Sequence, residues 1–217
     1  MLEPINTDVV ILCGGLGTRF NSVYSDRPKS LAPINDKVFL DYLIEHLIEV
    51  GFKRIILCLG HFHEQVVEHC QKYSFVDLIF SIEDNPLGTA GAIKNAEQHI
   101  KSQDFLVLNG DSFCLVDYFQ LLTQHSLIGN EASIVISLDS ERSDAGNIVY
   151  ENDSKRVLSF NEKNSDKEIW INSGIYVLSK NLLKTMIHGK NLSLEYDIFP
   201  SLAINKQLFA IPGGDVF

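Results

Sequence analysis

Apolar residues occur along this chain in two patterns, short unbroken runs and longer segments with a helical period. Val9 to Cys13 and Phe105 to Leu108 are unbroken runs, which are typical of strands buried on both faces of a parallel sheet. From Val38 to Val50 apolar residues recur at every third or fourth position, which predicts an amphipathic helix that ends at Gly51. Because the two patterns alternate, the sequence predicts an α/β fold with a mainly parallel sheet.

The same criteria assign most of the remaining chain. Further strands are predicted at Arg54–Leu59, Leu78–Ile82, Ala132–Leu138, Asn147–Glu151, Val157–Phe160, Ile169–Leu178 and Gln207–Ile211. Further helices are predicted at Phe62–Tyr73, Thr89–Ile100 with Thr89 as its cap, Leu115–Ile128, Lys180–His188 and Tyr196–Ile204. Long helices are lacking between the strands that follow residue 130, so we expect that half to form a mixed β region folded over the sheet. No repeat or linker divides the chain, and we predict a single domain over residues 1–217.

A glycine-rich loop directly follows the first predicted strand. Gly14, Gly15 and Gly17 allow a sharp turn whose N–H groups point into one concavity and bind anions. Hydroxyl and cationic side chains follow at Thr18, Arg19, Arg27 and Lys29. Phe20 stands where a dinucleotide fingerprint needs glycine, and Arg19 follows Thr18 where a Walker loop needs Gly-Lys-Ser/Thr. The loop therefore predicts a polyphosphate site of another kind, the alternative being a tight turn that binds nothing.

Charge and composition limit the classes of molecule that the protein is expected to bind. The formal net charge is −10, which excludes broad nucleic-acid binding but not a nucleotide held by a few local cations. No apolar run approaches the ~20 residues that cross a membrane, and the N-terminus lacks a signal core, so we expect a cytoplasmic protein without a membrane partner. The oligomeric state stays open, a homo-oligomer included. Reduced core residues are expected at the four widely spaced cysteines, Cys13, Cys58, Cys70 and Cys114.

Asp111 is a candidate magnesium ligand. It follows Asn109 and Gly110 at the carboxyl end of a predicted central strand, where open α/β sheets bind ligands. Magnesium needs only one or two carboxylates, because phosphate oxygens and water complete its shell. The alternative is that Asp111 caps the next helix.

Three polar motifs occur in the second half of the chain, around Gly146, Glu162 and Asn172. Glu162 precedes Lys163, and Asn172 lies two residues before a glycine. Carboxylate and amide groups suit sugar hydroxyls and lysine suits phosphate, so these motifs are candidates for a sugar phosphate, the alternative being solvated turns. Gly91 lies in the first turn of a predicted helix at a cost of roughly 1 kcal/mol, which the close approach of a ligand or a strand would explain, the alternative being helix–sheet packing.

Four sequence motifs together resemble those of one enzyme family. They are Gly-Gly-Leu-Gly-Thr-Arg at 14–19, Arg-Pro-Lys at 27–29, Leu-Gly-Thr-Ala-Gly at 87–91 and Trp-Ile-Asn-Ser-Gly-Ile-Tyr at 170–176. The pattern resembles the sugar-1-phosphate nucleotidyltransferases over nearly the whole chain. The resemblance implies a Rossmann-like three-layer sandwich with a small β sugar-binding portion. It also implies transfer of a nucleotidyl group, expected to be guanylyl, from an NTP to a sugar 1-phosphate, expected to be D-glycero-D-manno-heptose 1-phosphate. The product would serve surface polysaccharide synthesis, and Mg²⁺ would be the cofactor.

The resemblance also implies roles for individual residues. The catalytic residues would be Arg19 on the β- and γ-phosphates, Lys29 toward the reacting phosphates and Asp111 on magnesium. The nucleotide-binding residues would be Leu12, Gly14, Gly15, Gly17, Thr18, Glu83, Gly88 and Thr89, from the half ending near residue 130. The sugar-phosphate residues would be Asn109, Gly146, Glu162, Lys163 and Asn172, mostly from residues 131–217.

Glu83 favours GTP among the nucleotides. Guanine offers two adjacent donors, N1–H and N2–H₂, that suit a carboxylate, whereas the carbonyl oxygens of uracil would repel it. The rival predictions are a mannose-1-phosphate guanylyltransferase, a uridylyltransferase that acts on an amino sugar phosphate, and, from another class, a catalytically silent nucleotide-binding regulatory subunit.

The end of the chain departs from the family pattern. Family members usually carry a second metal-binding aspartate just after a segment like Gly213–Phe217, and the sequence ends at Phe217. We expect that the sequence is truncated before this position, the alternatives being that Asp215 substitutes or that the second ligand is absent.

Overall fold

The computed structural model describes residues 2–15, 27–139, 147–161 and 169–214. The strands, numbered in chain order, are β1 (Val9–Leu12), β2 (Pro33–Ile34), β3 (Lys37–Val38), β4 (Arg54–Leu59), β5 (Asp77–Ile82), β6 (Asp104–Asn109), β7 (Ala132–Asp139), β8 (Asn147–Tyr150), β9 (Val157–Asn161), β10 (Ile169–Ser179) and β11 (Leu208–Pro212). The α-helices are α1 (Phe39–Val50), α2 (His63–Cys70), α3 (Gly88–Asn95), α4 (Tyr118–Ile128) and α5 (Phe199–Ile204). Turns of 3₁₀-helix lie at Pro4–Asn6, Lys29–Leu31, Gln71–Tyr73, Glu97–His99 and Lys180–Thr185, and Leu194–Ile198 is a turn of π-helix.

One seven-stranded sheet forms the middle of the molecule. Its strand order is β11-β7-β10-β6-β1-β4-β5. The β5-β4-β1-β6 strands are parallel, β11 is parallel to β7, and β10 runs antiparallel between β6 and β7. The predicted α/β fold with a mixed, mainly parallel sheet is confirmed.

Two apolar layers pack on the two faces of this sheet. Along β1, Val10 faces one layer, while Val9 and Ile11 face the other, as the alternation of side chains in a strand requires. Helices α1, α2 and α4 cover the face of Val9, and α3, α5 and the β8–β9 hairpin cover the face of Val10. Burial on both faces explains the unbroken apolar runs, and the arrangement is a three-layer sandwich.

The second half of the chain differs from the expectation. We expected its strands to form a mixed β region folded over the sheet, but β7, β10 and β11 extend the main sheet. The pair β8–β9 forms a separate two-stranded sheet. Apolar runs cannot distinguish strands of one sheet from strands of another, because the pairing partners are distant in sequence.

Several predicted helices also differ in extent or type. Helix α4 begins at Tyr118 rather than Leu115, because Asp117 caps it by accepting a hydrogen bond from the Gln120 N–H at 3.0 Å. The cap of this helix is therefore Asp117 and not Asp111. The predicted helix at 180–188 is a 3₁₀ turn, and the one at 196–204 is a π turn followed by α5. The helix predicted to reach Ile100 ends at Asn95.

A bulge bends β10 beside the ends of β6 and β7. Asn172 pairs with Ile136 and Tyr176 with Ile134, so the four-residue step in β10 matches a two-residue step in β7. Gly174 lies in the bulge with φ +75°, a conformation that favours glycine. The bulge brings the side chains of Asn172 and Tyr176 within hydrogen-bond distance, 2.8 Å.

Candidate active site

The carboxyl ends of β1, β4, β5 and β6 meet at one edge of the sheet. Leu12 is level with Cys58 of β4 on one side and with Asn109 of β6 on the other. In the sheet, β4 and β5 lie on one side of β1, and β6, the next strand in the chain after β5, lies on its other side. The strand order therefore reverses at β1, and the crevice between β1 and β6 is the switch point where such sheets bind ligands. The predicted site residues that the structure describes lie on this edge or beside it.

Lys29 and Asp111 form an ion pair in this crevice. Lys29 Nζ lies 2.8 Å from Asp111 Oδ2, and the two side chains are 43% and 48% exposed. Lys29 opens the 3₁₀ turn after Pro28, and Asp111 follows β6 by two residues. Both groups therefore remain accessible to a ligand, and a pair this exposed adds little to stability.

A cavity of about 190 Å³ lies beside this pair. Its lining residues come from β1, the 3₁₀ turn, α3 and the end of β6: Leu12, Cys13, Gly15, Lys29, Ser30, Thr89, Asn109, Gly110 and Asp111. Burial raises the pKa of the Cys13 thiol to about 12, so this thiol is protonated at neutral pH and cannot serve there as a thiolate nucleophile. The cavity combines one cation, one carboxylate and an amide, a set suited to a phosphorylated and hydroxylated ligand.

A larger cavity of about 570 Å³ lies on the β4–β5 side of the glycine loop. It is lined by Gly14, Gly60, His61, Phe62, His63, Glu64, Ile82, Glu83, Asp84, Asn85 and Pro86. A Cβ added at Gly14 would lie 2.9 Å from Glu83 Oε1, and one at Gly60 would lie 3.1 Å from it. Glycine at both positions therefore leaves room for the Glu83 carboxylate between the two loops.

Glu83 has a perturbed environment in this cavity. Burial raises the pKa of the Glu83 carboxyl, and the hydrogen bond that it accepts from the Leu87 N–H at 3.3 Å offsets part of this effect. A half-buried carboxylate lacks much of its hydration, so a ligand that donates hydrogen bonds to it would be bound favourably.

The glycines of the Leu87–Gly91 motif make room for protein backbone. A Cβ at Gly88 would lie 2.5 Å from the Leu192 carbonyl oxygen, and one at Gly91 would lie 2.5 Å from that of Lys190. The N–H groups of Ala90 and Gly91 donate to the Leu192 carbonyl at 2.9 and 3.1 Å. Segment 190–192, rather than a strand or a ligand, therefore explains Gly91 and occupies these donors of α3.

Thr89 is not the helix cap that we predicted, because Leu87 holds that position. The Thr89 hydroxyl instead donates to Glu195 Oε2 at 3.0 Å and accepts from the Leu194 N–H at 2.7 Å. Thr89 still lines the smaller cavity. Its role as a nucleotide-binding residue, like that of Gly88, stays a prediction.

Asn109 and Asn172 lie together on the β10 side of the crevice. The Asn172 amide donates to Tyr176 OH and accepts from the Gly174 N–H at 2.9 Å. The Oδ1 atom of Asn109 is buried and has no hydrogen-bond partner among the described residues. Of the two asparagines, Asn109 lines the smaller cavity.

The remaining predicted residues lie outside the part of the chain that the structure describes. They are Gly17, Thr18, Arg19, Gly146, Glu162 and Lys163, together with Asp215. Their proposed roles stay predictions.

Sequence reasoning missed several residues at this edge. Gly60, His61 and Phe62 line the larger cavity, and their position directly after β4, beside β1, was a signal that the parallel register made available. The hydrogen bond from the Tyr176 hydroxyl to Glu195 at 3.2 Å joins distant segments, so the position of a strand end could not indicate it.

A divalent cation fits this site through Asp111. Within the described ranges no group of three or more His, Cys, Asp or Glu side chains could hold a metal ion. Asp111 is nevertheless accessible and faces the cavity, and a single carboxylate is sufficient for magnesium when phosphate oxygens and water supply the other ligands. All four cysteines are free, as predicted.

Comparison with known proteins places the chain among nucleotidyl transferases. A profile described as nucleotidyl transferase matches residues 8–209. D-glycero-alpha-D-manno-heptose 1-phosphate guanylyltransferase of Campylobacter jejuni is 37% identical over 191 residues, 86% of this chain and 82% of that protein. A mannose-1-phosphate guanyltransferase of Debaryomyces hansenii is 34% identical over 208 residues, 93% of this chain and 57% of that protein.

A solved structure is similar over most of its length. HddC from Yersinia pseudotuberculosis, complexed with GMP-PN, superposes with a TM-score of 0.85 at 35% identity and covers 97% of this chain and 92% of that one.

None of the helices among the described residues has the length and apolar character that crossing a bilayer requires.

Proposed function

The chain belongs to the nucleotidyl transferase family, and from this membership we propose that it transfers the guanylyl group of GTP to D-glycero-α-D-manno-heptose 1-phosphate and releases pyrophosphate. The accessible Lys29–Asp111 pair in the crevice between β1 and β6 supports the transfer chemistry, and the Glu83 carboxylate in the larger cavity carries the choice of GTP. The likeness to a heptose 1-phosphate guanylyltransferase supports the choice of substrates. We also propose a cytoplasmic location and use of the product in surface polysaccharide synthesis.

Glu83 supports guanine as the base. Its carboxylate lines the larger cavity beside the glycine loop, where Gly14 and Gly60 leave it room. Guanine N1–H and N2–H₂ are adjacent donors and match the two oxygens of a carboxylate. A pyrimidine such as uracil or thymine would present carbonyl oxygens to the same group.

The proposed chemistry is a single in-line displacement. A phosphate oxygen of the sugar 1-phosphate attacks the α-phosphorus of GTP, the bond to the β-phosphate oxygen breaks, and pyrophosphate leaves. The attacking oxygen is already anionic, so no general base and no covalent enzyme intermediate are needed. The protein contributes positioning and positive charge. Among the described residues, Lys29 lines the crevice and would place its positively charged Nζ beside the phosphates.

Asp111 would hold the magnesium ion that we propose as cofactor. When bound, the ion would neutralise charge on the phosphate oxygens. The ion pair with Lys29 keeps the Asp111 carboxylate in the crevice before a ligand arrives. Arg19 stays the predicted partner of the departing pyrophosphate.

A second candidate acceptor is mannose 1-phosphate, because a mannose-1-phosphate guanyltransferase also matches this chain. The experiment that separates the two is pyrophosphate release with GTP and magnesium, with heptose 1-phosphate or mannose 1-phosphate as acceptor. We expect a kcat/KM at least tenfold higher for the heptose. A preference for mannose 1-phosphate would change the acceptor, and turnover with UTP but not GTP would overturn the guanylyl proposal.

A further inference from the structure

The larger cavity, on the β4–β5 side of the glycine loop, combines apolar side chains with a carboxylate. Phe62, Ile82 and Pro86 line it together with Glu83. Ile82, the last residue of β5, is 43% exposed. A flat ligand with an apolar face and hydrogen-bond donors on one edge would cover these side chains and pair with the carboxylate. A nucleobase has this combination.

Phe62 and Glu83 come to this cavity from the ends of neighbouring parallel strands. The Glu83 N–H donates to the Leu59 carbonyl at 2.8 Å, so the ends of β4 and β5 are level. The His63 N–H donates to the Gly60 carbonyl at 3.2 Å. This bond closes a tight turn that leads from β4 into α2 and carries Phe62.

Phe62 adopts a backbone conformation that is unfavourable for a residue with a large side chain. It is the residue before α2 and has φ +63° and ψ 24°, in the left-handed region. Gly adopts this region readily and Asn adopts it occasionally, whereas a bulky residue there is an outlier. Either of the two would form the turn into α2 more easily, so the turn does not explain the phenylalanine.

Packing in the protein interior does not explain the ring either. Among the described residues, Phe62 belongs to neither of the two apolar layers, whereas Val66, one turn further along α2, is buried in one of them. Phe62 is half-buried, and its ring contacts the His61 imidazole with the ring centroids 3.9 Å apart. His61 lines the same cavity. Strained residues persist where a binding site requires them, and the cavity is the site that Phe62 adjoins.

We propose that Phe62 is a further nucleotide-binding residue, whose ring stacks on the face of the guanine that Glu83 contacts at its edge. The proposal deepens the proposed function and rests on it for the identity of the nucleotide. Stacking on an aromatic side chain tolerates every base, because every base has a π-face. Phe62 would therefore set the affinity for the base, and Glu83 would set the choice of base.

Equilibrium binding to matched variants tests this division. Phe62→Asn removes the ring and suits the left-handed backbone, and Phe62→Tyr keeps the ring. Phe75→Asn is the control, because Phe75 is 72% exposed and lines neither cavity. The ligands are GTP, ITP, whose base lacks the 2-amino group, and tripolyphosphate, which has no base, each with magnesium.

We expect Phe62→Asn to weaken the binding of GTP and ITP by the same factor of about ten, the value of one stacked base. Its affinity for tripolyphosphate should stay within about twofold of the wild type. Phe62→Tyr and the control should bind GTP within about threefold of the wild type. The Tm of Phe62→Asn should stay within about 2 °C of the wild type, because relief of the backbone strain offsets the lost ring contact.

Several results would overturn the stacking. One is GTP binding by Phe62→Asn that equals that of the wild type, and another is an equal loss for GTP and tripolyphosphate. A lower Tm together with equal losses in Phe62→Asn and Phe62→Tyr would assign Phe62 a structural role. A change confined to the ratio of GTP to ITP affinity would place the effect on Glu83 instead.

An NMR measurement tests the contact without turnover. In wild-type protein saturated with GTP, with the Phe62 ring assigned by comparison with Phe62→Tyr, we expect a nuclear Overhauser effect between this ring and the non-exchangeable ring proton of guanine. Its absence in the GTP-bound protein would overturn the stacking. A wild type that shows this contact but releases no pyrophosphate with heptose 1-phosphate or mannose 1-phosphate would refute the proposed function and leave the stacking standing.

Discussion

Asp41 and Asp111 are carboxylates in two regions of the same molecule with opposite surroundings. Asp41, on α1, has a side chain that is 3% exposed and is bonded by three side chains of α2 and the turn after it, His69, Lys72 and Tyr73, at 2.7 to 2.9 Å. Asp111, in the crevice, is 48% exposed and pairs with Lys29. A buried charge must be fully paired, whereas a ligand-binding charge must stay accessible. The first should therefore contribute to stability and the second to activity.

The same substitution at the two positions separates these roles, and the largest effect is expected at Asp111. Asp111→Asn should lower kcat about a thousandfold, as the loss of a group that organises transition-state charge does, and change Tm by no more than about 2 °C. The assay is pyrophosphate release beside thermal unfolding. Asp77→Asn is the matched control, because Asp77 is an exposed, ion-paired carboxylate on the opposite edge of the sheet. A variant that kept most of its turnover would remove Asp111 from the site.

Asp41→Asn should show the reverse pattern. We expect the free energy of unfolding to fall by about 2 to 3 kcal/mol, because hydrogen bonds to a buried charge are lost. The kcat and KM of the folded enzyme should stay within twofold of the wild type. Urea unfolding measures the first quantity and steady-state kinetics the second. A loss of activity without a loss of stability would contradict the assignment.

The pH dependence of stability sharpens the contrast. Burial alone would raise the pKa of Asp41, but hydrogen bonds from Lys72, His69 and Tyr73 outweigh it and lower this pKa from 3.8 to about 2. The unfolded state therefore binds a proton at Asp41 more readily than the folded state does. The stabilisation by the ionised carboxylate is complete above the pKa of Asp41 in the unfolded state, and it is lost as the pH falls through the pKa in the folded state. We expect about 2 kcal/mol of unfolding free energy to disappear between pH 5 and pH 2 in the wild type.

Urea titrations at several pH values check this prediction. The loss should be nearly absent from Asp41→Asn, which cannot titrate at this position. An equal loss in both proteins would assign the pH dependence to other carboxylates.

The sequence predicted strands β1 and β4 well, because the signal for a buried strand lies in the strand itself. Val9–Leu12 and residues 55–59 are apolar in every position because both faces of their strands are covered. The residues that follow such strands lie at one edge of a parallel sheet, so Gly14, Glu83 and Asp111 were predictable as neighbours.

Features that depend on distant contacts were not predictable. Thr89 resembles a helix cap in sequence, but its hydroxyl bonds to Glu195, 106 residues away. Gly88 and Gly91 make room for the backbone of segment 190–192, which no local pattern indicates. The merging of β7, β10 and β11 with the main sheet likewise depends on pairing partners far apart in the chain.

The central claim is that the Glu83 carboxylate selects GTP among the nucleotides. Equilibrium binding of GTP, UTP, CTP, ATP and dTTP with magnesium tests it most directly. The proteins are the wild type, Glu83→Gln and the control Glu49→Gln. We predict that the wild type and the control prefer GTP, and that Glu83→Gln loses at least about tenfold of that preference, the value of one good hydrogen bond to a charged group. An unchanged GTP preference in Glu83→Gln, or a wild type that prefers UTP or dTTP, would contradict it.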